Sequence, residues 1–146
     1  MTNFKWIGAF YMIENCELHH VGYVVDDIES TAGQFARLGY QVGEVLFDKG
    51  LTVELCYLTK KNSVTIELVH QLQADSLEAQ LWQANGVMPY HLGFETADLD
   101  EACREMERLG YRSLFAPVPV EALGGQRICY FHQANVGYVE LLERQA

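Results

Sequence analysis

The stretch HVGYVVDDIESTAGQFARLGY, from His20 to Tyr40, decides the fold because the chain contains it twice. It lies without a gap over HLGFETADLDEACREMERLGY, from His91 to Tyr111, and seven of the 21 aligned pairs are identical. Unrelated segments of ordinary composition would share about one or two such residues. The chain therefore carries an internal duplication.

Each copy predicts a strand, a helix and three further strands. Leu18 to Val25 is β-branched and aromatic, and the helix after it begins at an aspartate and ends at a glycine in both copies. The later segments alternate between apolar and polar residues, with turn signals between them. The repeat extends to the last strands, where TIEL, from Thr65, matches YVEL, from Tyr138, once the second copy is allowed two extra residues.

Two paired βαβββ modules therefore predict an α+β fold in which a curled mixed sheet surrounds a metal-binding cleft. We expect one domain over residues 18–146, preceded by an N-terminal extension of residues 1–17. Its parts are module one (18–73), a connecting helix (75–86) and module two (88–146).

Composition narrows the range of partners. The chain has 146 residues, of which 49% are hydrophobic, and its 20 acidic and 10 basic residues give a formal charge of −10. Such a charge repels both a nucleic-acid backbone and an anionic membrane surface. With no apolar run long enough to span a bilayer and no cleavage-site pattern, we expect a cytoplasmic protein that binds neither nucleic acid nor membrane.

The duplication selects four candidate metal ligands. His20 and His91 open the first strand of each copy, and Glu67 and Glu140 lie between apolar neighbours in the last strand of each. A pseudo-twofold axis would bring these side chains together, and two imidazoles with two carboxylates leave two positions of an octahedron open. Taken singly, such a histidine is more often structural and such a glutamate more often faces solvent, but the symmetric positions favour a metal site.

The same alignment places Glu54 opposite Arg127. Strand alternation puts Glu54 on one face with Cys56, and if that face is concave, Glu54 is a carboxylate beside the metal and a candidate general base. The alternative is an ion pair between Glu54 and Arg127 across the pseudo-axis. The remaining histidines lack a histidine partner in the repeat and are expected to be structural or to lie beside the ligands: His19, His70 and His132.

From Leu18 to Glu143 the sequence resembles the vicinal oxygen chelate superfamily, and within it most closely the methylmalonyl-CoA epimerases. The resemblance rests on HHVGYVVDDIEST, on TIELVHQL with SLEAQLWQANG, on YHLGFETADLDEA, and on GGQRICYFH with GYVELLE. It implies metal ligands at His20, Glu67, His91 and Glu140. It also implies a catalytic glutamate at Glu54, with Glu140 acting as both ligand and second base.

The resemblance implies an epimerase or isomerase that uses one divalent ion (Co, Mn, Zn, Ni or Mg) to transfer a proton next to the carbonyl of a small acyl thioester. A glyoxalase I-like lactoylglutathione lyase and a non-enzymatic drug-binding protein of the same fold remain alternatives. An extradiol dioxygenase is disfavoured because a fourth protein ligand would occupy a position that oxygen needs.

The sequence also predicts a homodimer. An exposed sheet edge and an apolar N-terminal segment containing Trp6, Phe10 and Tyr11 form a surface that is rarely left in water. The alternative is that this segment packs within its own chain.

Overall fold

The computed structural model describes Ile13 and residues 15–145. These residues form eight strands, three α-helices and one short 3-10 helix. In chain order they are β1 (Cys16–Val24), α1 (Ile28–Arg37), β2 (Gln41–Asp48), β3 (Val53–Thr59), β4 (Thr65–Gln71), α2 (Leu77–Asn85), β5 (Met88–Thr96), α3 (Leu99–Arg108), β6 (Arg112–Val120), the 3-10 helix (Glu121–Leu123), β7 (Gln126–Gln133) and β8 (Gly137–Glu143).

All eight strands belong to one curled sheet with the order β2-β3-β4-β1-β5-β8-β7-β6. Within each half the first strand runs parallel to the last, β1 beside β4 and β5 beside β8. The two halves meet where β1 pairs antiparallel with β5. The strand order thus reads the same from either edge inward, which confirms the prediction of two βαβββ modules in a mixed sheet.

The two repeated helices begin and end as their sequences predict. The side chains of Asp27 and Asp98 accept hydrogen bonds from the backbone N–H groups of Ser30 and Glu101, which caps α1 and α3. The chain leaves each helix through a glycine with positive φ, Gly39 at 93° and Gly110 at 86°.

Each of these helices covers the convex face of its own half of the sheet. Ile28 and Ala32 of α1 pack in one cluster with Cys56 and Leu58 of β3. Leu99, Ala102 and Met106 of α3 pack in another cluster, with the strand residues Cys129, Phe131, Val139 and Leu141. Since successive side chains in a strand point to opposite faces, the odd-numbered residues of β3 face the concave side.

The concave side is closed at one end by a buried aspartate. Asp48, at the end of β2, accepts hydrogen bonds from the backbone N–H of Leu51 at 2.8 Å and from that of Ala122 at 3.1 Å. Ala122 belongs to the 3-10 helix of the other half. Asp48 therefore joins the two halves across the cleft.

The N-terminal segment with Trp6, Phe10 and Tyr11, which the sequence predicts to lie in a dimer interface, lies outside the described residues. Among the helices that the structure describes, none has the length and apolarity needed to cross a membrane.

Candidate metal centre

The four candidate ligands meet at the centre of the sheet. His20 lies in β1 and His91 in β5, the antiparallel pair that joins the halves, while Glu67 in β4 and Glu140 in β8 flank them. All four residues are buried, with no more than 3% of their surface exposed. One ligand atom from each lies within 4.8 Å of the other three. The structure thus brings together the four residues that the duplication selects.

Two glycines make room for the imidazoles. A Cβ atom built on Gly93 would lie 2.1 Å from the ring of His20, and one built on Gly22 would lie 2.0 Å from the ring of His91. Each histidine therefore lies across the backbone of the other module, at the glycine two residues beyond that module's own histidine. The repeated sequence His-X-Gly encodes this crossed arrangement.

The spacing of the ligand atoms suits one small ion. Atoms bonded at about 2.1 Å to an ion lie about 3.0 Å apart at adjacent corners of an octahedron and about 3.4 Å apart in a tetrahedron. The two histidine Nε2 atoms lie 2.8 Å apart. Their distances to the nearest oxygens of Glu67 and Glu140 range from 3.4 to 3.8 Å. The four ligand atoms are therefore close enough together for one divalent ion to contact all of them after small side-chain shifts.

The electrostatics of the cluster also fit a bound cation. Burial lowers the pKa of His20 and of His91 to about 3, so both rings are neutral at pH 7 and can donate a lone pair. Burial raises the pKa of Glu67, and the pKa of Glu140 is raised by burial and then by the charge of Glu67. His91 Nδ1 and Glu140 Oε1 have no hydrogen-bond partner. Two buried carboxylates beside two neutral imidazoles would be balanced by a divalent cation.

A second layer of side chains contacts the ligands. His19 Nδ1 lies 2.8 Å from His20 Nδ1, on the ring nitrogen that faces away from the other ligands. Tyr57 is the register partner of Glu67 on β4, so the two side chains lie side by side on the concave face. Such contacts fix the orientation of metal-ligating side chains.

The corresponding contact in module two involves Tyr130. It is the register partner of Glu140 on β8, so the two side chains lie side by side on the concave face. Sequence reasoning missed both tyrosines, although the repeat carries a signal for them. They follow Cys56 and Cys129, which the alignment pairs, so Tyr57 and Tyr130 are themselves a repeated pair.

The structure corrects the expectation for Glu54. Glu54 lies on the face of β3 that carries Cys56 and Leu58 and packs toward α1, whereas Val53 and Leu55 line the cleft. Its carboxylate binds His70 Nδ1 at 3.0 Å on that outer face. Strand alternation therefore removes Glu54 from the candidate metal centre, and the expectation of a general base there is wrong.

The alternative assignment for Glu54 is also wrong. Arg127 makes its ion pairs with Glu143, at 2.9 Å, and with Asp100, at 3.2 Å. All three residues belong to module two, on the outer face that carries α3. Glu54 and Arg127 are equivalent in the repeat, but each is paired within its own module.

The three other histidines, His19, His70 and His132, each make a different contact. His19 lies beside a candidate ligand, and His70 pairs with Glu54, as described above. The ring of His132 packs against the ring of Tyr138, with 4.7 Å between their centroids. Among the described residues, none of these three joins the cluster of four.

A cavity of about 280 Å³ opens on two of the four ligands, Glu67 and Glu140. One wall is apolar and comes from both modules, through Val53, Leu55, Val69, Val120, Leu123 and Ile128. Tyr90 and Tyr130 lie near the ligands, and Glu78 of α2 also lines the cavity. The volume is at the small end of the range for ligand pockets, about 300–1,000 Å³. The cluster can therefore present an ion to a small molecule bound in this cavity.

A family model matches most of the chain. Residues 19–130 match the family model described as the Glyoxalase/Bleomycin resistance protein/Dioxygenase superfamily. No curated protein sequence matches the chain. The matched segment spans the first three of the four candidate ligands and most of the cavity wall.

Solved structures of similar fold include methylmalonyl-CoA epimerases. The enzyme from Mycobacterium tuberculosis is 22% identical with a TM-score of 0.79, over 93% of this chain and 94% of that one. A variant of the Streptomyces coelicolor enzyme in complex with 2-nitronate-propionyl-CoA is 22% identical with a TM-score of 0.76, over 91% and 100%. A hypothetical protein from Bacillus halodurans C-125 is 21% identical with a TM-score of 0.79, over 91% and 97%. At these identities the likeness is one of fold.

Proposed function

The chain belongs to the glyoxalase/bleomycin resistance protein/dioxygenase superfamily, and from this we propose that it is a divalent-metal-dependent isomerase that moves a proton at a carbon next to a carbonyl. One observation carries the proposal. Glu67 and Glu140 belong to the buried cluster of four and also line the cavity in which a small molecule would lie.

His20, Glu67, His91 and Glu140 would hold one divalent ion. When bound, such an ion would supply Lewis-acid polarisation of a carbonyl oxygen of the substrate. The chain's own contribution is to keep the imidazoles neutral and to exclude water from the centre, since both follow from the burial of the four side chains.

The proton is assigned to the ligand carboxylates because Glu54 faces away from the cleft. Glu67 and Glu140 come from opposite modules and so approach a bound carbon from opposite sides. Epimerisation needs a base on one face and an acid on the other, and Glu67 and Glu140 would take these two roles in turn. Tyr57 and Tyr130 would orient the two groups.

Two substrate classes suit this assignment. The ligands in similar structures are acyl-CoA thioesters, 2-nitronate-propionyl-CoA and methylmalonyl-CoA, which supports an acyl thioester as the substrate. The second candidate is a glyoxalase I-like reaction, in which a proton moves between adjacent carbons of a thiohemiacetal. Both carboxylates lie in the cluster of four, one from each module, so the same two residues would carry the proton in this reaction as well.

Solvent exchange at carbon separates these candidates. The metal-loaded protein would be incubated in deuterated water with a panel of acyl-CoA thioesters, and separately with methylglyoxal and a thiol. We expect deuterium at the α-carbon of an acyl thioester, whereas a lactoyl thioester formed from methylglyoxal would assign the second reaction. A protein that binds no divalent ion, or one whose exchange survives in the double variant His20→Ala and His91→Ala, would overturn the proposal.

A further inference from the structure

The charged side chains that line the cavity beside the candidate metal centre, among the described residues, are all carboxylates. Its polar lining consists of Glu67 and Glu140, a third carboxylate at Glu78, two tyrosine hydroxyls, and two glutamines. Among the described residues that line this cavity, none is lysine or arginine. The part of the lining that the structure describes therefore offers no positive side chain to an anionic group.

A bound divalent ion does not change this conclusion. In the resting state, with both carboxylates ionised, the charges of Glu67 and Glu140 would neutralise it, so the centre as a whole would carry no net charge. Glu78 then remains as an uncompensated carboxylate on the cavity wall. An anionic group placed there would lose hydration and would meet no positively charged side chain among the described lining residues, which is costly in a partly dry site.

Glu78 is held in a defined position. It lies in the first turn of α2, where Ser76 caps the helix, and its carboxylate accepts a hydrogen bond from the hydroxyl of Tyr90 at 3.3 Å. Tyr90 is buried, and it is the residue before the candidate ligand His91. The carboxylate of Glu78 therefore lies at a fixed place between the solvent and the cluster of four.

We propose that Glu78 determines substrate specificity, so that the cavity accepts a neutral or cationic group next to the chelating oxygens and excludes a free carboxylate. This inference rests on the proposed function and narrows its substrate class. An amine or hydroxyl on the acyl group could donate to Glu78, whereas a dicarboxylic acyl group would bring a second anion toward it. Any anionic carrier of the acyl group would remain outside the cavity.

Three chelators of equal chain length test the proposal: butyrohydroxamic acid, β-alanine hydroxamic acid and succinic acid monohydroxamic acid. They carry the same two chelating oxygens and end in a methyl, an ammonium and a carboxylate group. Affinity for the zinc-loaded protein would be measured by isothermal titration calorimetry. We expect the ammonium compound to bind about tenfold more tightly than the carboxylate compound, with the methyl compound between them.

Two variants assign this preference to one residue. Glu78→Gln retains an acceptor for Tyr90 but removes the charge, and we expect it to reduce the spread of affinities to less than about threefold. Asp75→Asn is the matched control, because Asp75 is exposed, three residues earlier, and outside the cavity lining. It should leave the spread unchanged.

The outcomes separate this inference from the proposed function. Zinc uptake followed by equal binding of the three chelators, tighter binding of the carboxylate compound, or binding of none of them would overturn the specificity assigned to Glu78. Equal effects of Glu78→Gln and Asp75→Asn would also overturn it. The preference would then come from the overall negative charge of the protein and not from Glu78. Failure to take up zinc or any of the other divalent ions, Co, Mn, Ni and Mg, would overturn the proposed function and this inference with it.

Discussion

At the scale of single residues, the position of one side chain along β3 decides what can take part in chemistry. Val53 and Leu55 line the cavity, and Glu54 between them points to the outer face. There it binds His70, so its charge is already used in a contact between neighbouring strands. A carboxylate one position away in sequence would lie beside the candidate metal centre.

This geometry predicts different outcomes for two matched substitutions. Glu54→Gln should leave both metal content and turnover within about threefold of the parent protein, because its side chain does not reach the cleft. Glu140→Gln removes an anionic ligand and a base together, so metal affinity should fall and turnover should decrease by about 10²–10⁴-fold. Metal analysis and solvent-exchange rates measure both effects. A large loss of turnover in Glu54→Gln with full metal content would contradict the assignment.

At the scale of elements, the central pair of strands sets the geometry of the candidate site. β1 and β5 each carry one histidine and, two residues later, a glycine over which the opposite histidine lies. The pairing leaves no space for a side chain at Gly22 or Gly93. The two strands are therefore fixed as a unit by their glycines as well as by their ligands.

Gly93→Ala tests this arrangement. Its new Cβ would meet the ring of His20 at 2.1 Å, so the ring must move, and we expect loss of most of the metal affinity together with a lower melting temperature. Gly33→Ala is the control, since Gly33 lies exposed in α1 with no atom within 4 Å of the added Cβ. That change should leave metal binding intact and raise stability by up to about 1 kcal/mol. Normal metal content in Gly93→Ala would refute the crossed arrangement.

At the scale of the whole molecule, the candidate centre lies at the junction of the two modules. Each module contributes one imidazole and one carboxylate, and each has its own core beneath its own helix. A bound ion would therefore hold the modules together as well as supply chemistry. Asp48 provides a second link between them at the end of the cleft.

Removal of the ion should accordingly lower stability. At a free metal concentration of about 100 times Kd, binding adds about 2.7 kcal/mol, which corresponds to about 5–10 °C in melting temperature for a chain of this size. The difference between chelator-treated and metal-loaded protein should widen as pH rises from 6 to 8. The pKa values of Glu67 and Glu140 are raised, so their protons must leave before an ion binds. Calorimetric melting at several pH values measures this, and an equal effect at all of them would contradict it.

The assembly state stays a prediction. Apolar side chains are exposed on the edge strand β2, at Val42, Val45 and Phe47, and such an edge is commonly covered by another chain. We expect a homodimer of this chain in solution. Light scattering at micromolar concentration checks this expectation, and a monomeric mass would contradict it.

The sequence by itself determined the duplication, and through it the fold and the four clustered residues. Repeated segments adopt the same local structure and must pair their open edges, so a residue type that recurs at equivalent positions is brought to the pseudo-axis. His20 and His91, with Glu67 and Glu140, could be chosen on that ground alone. The starts of α1 and α3 could also be predicted from the sequence. Asp27 and Asp98 cap these helices through hydrogen bonds to backbone groups only three residues away.

Only the tertiary structure decided which face of each strand forms the cleft. Alternation places Glu54 opposite Val53 and Leu55, but it does not say which face the helix covers, because that depends on contacts between residues distant in sequence. The packing of α1 on Cys56 and Leu58 settles the matter. The contribution of Glu78 was likewise hidden, since α2 lies outside the repeat and reaches the cavity only when the two modules close around it.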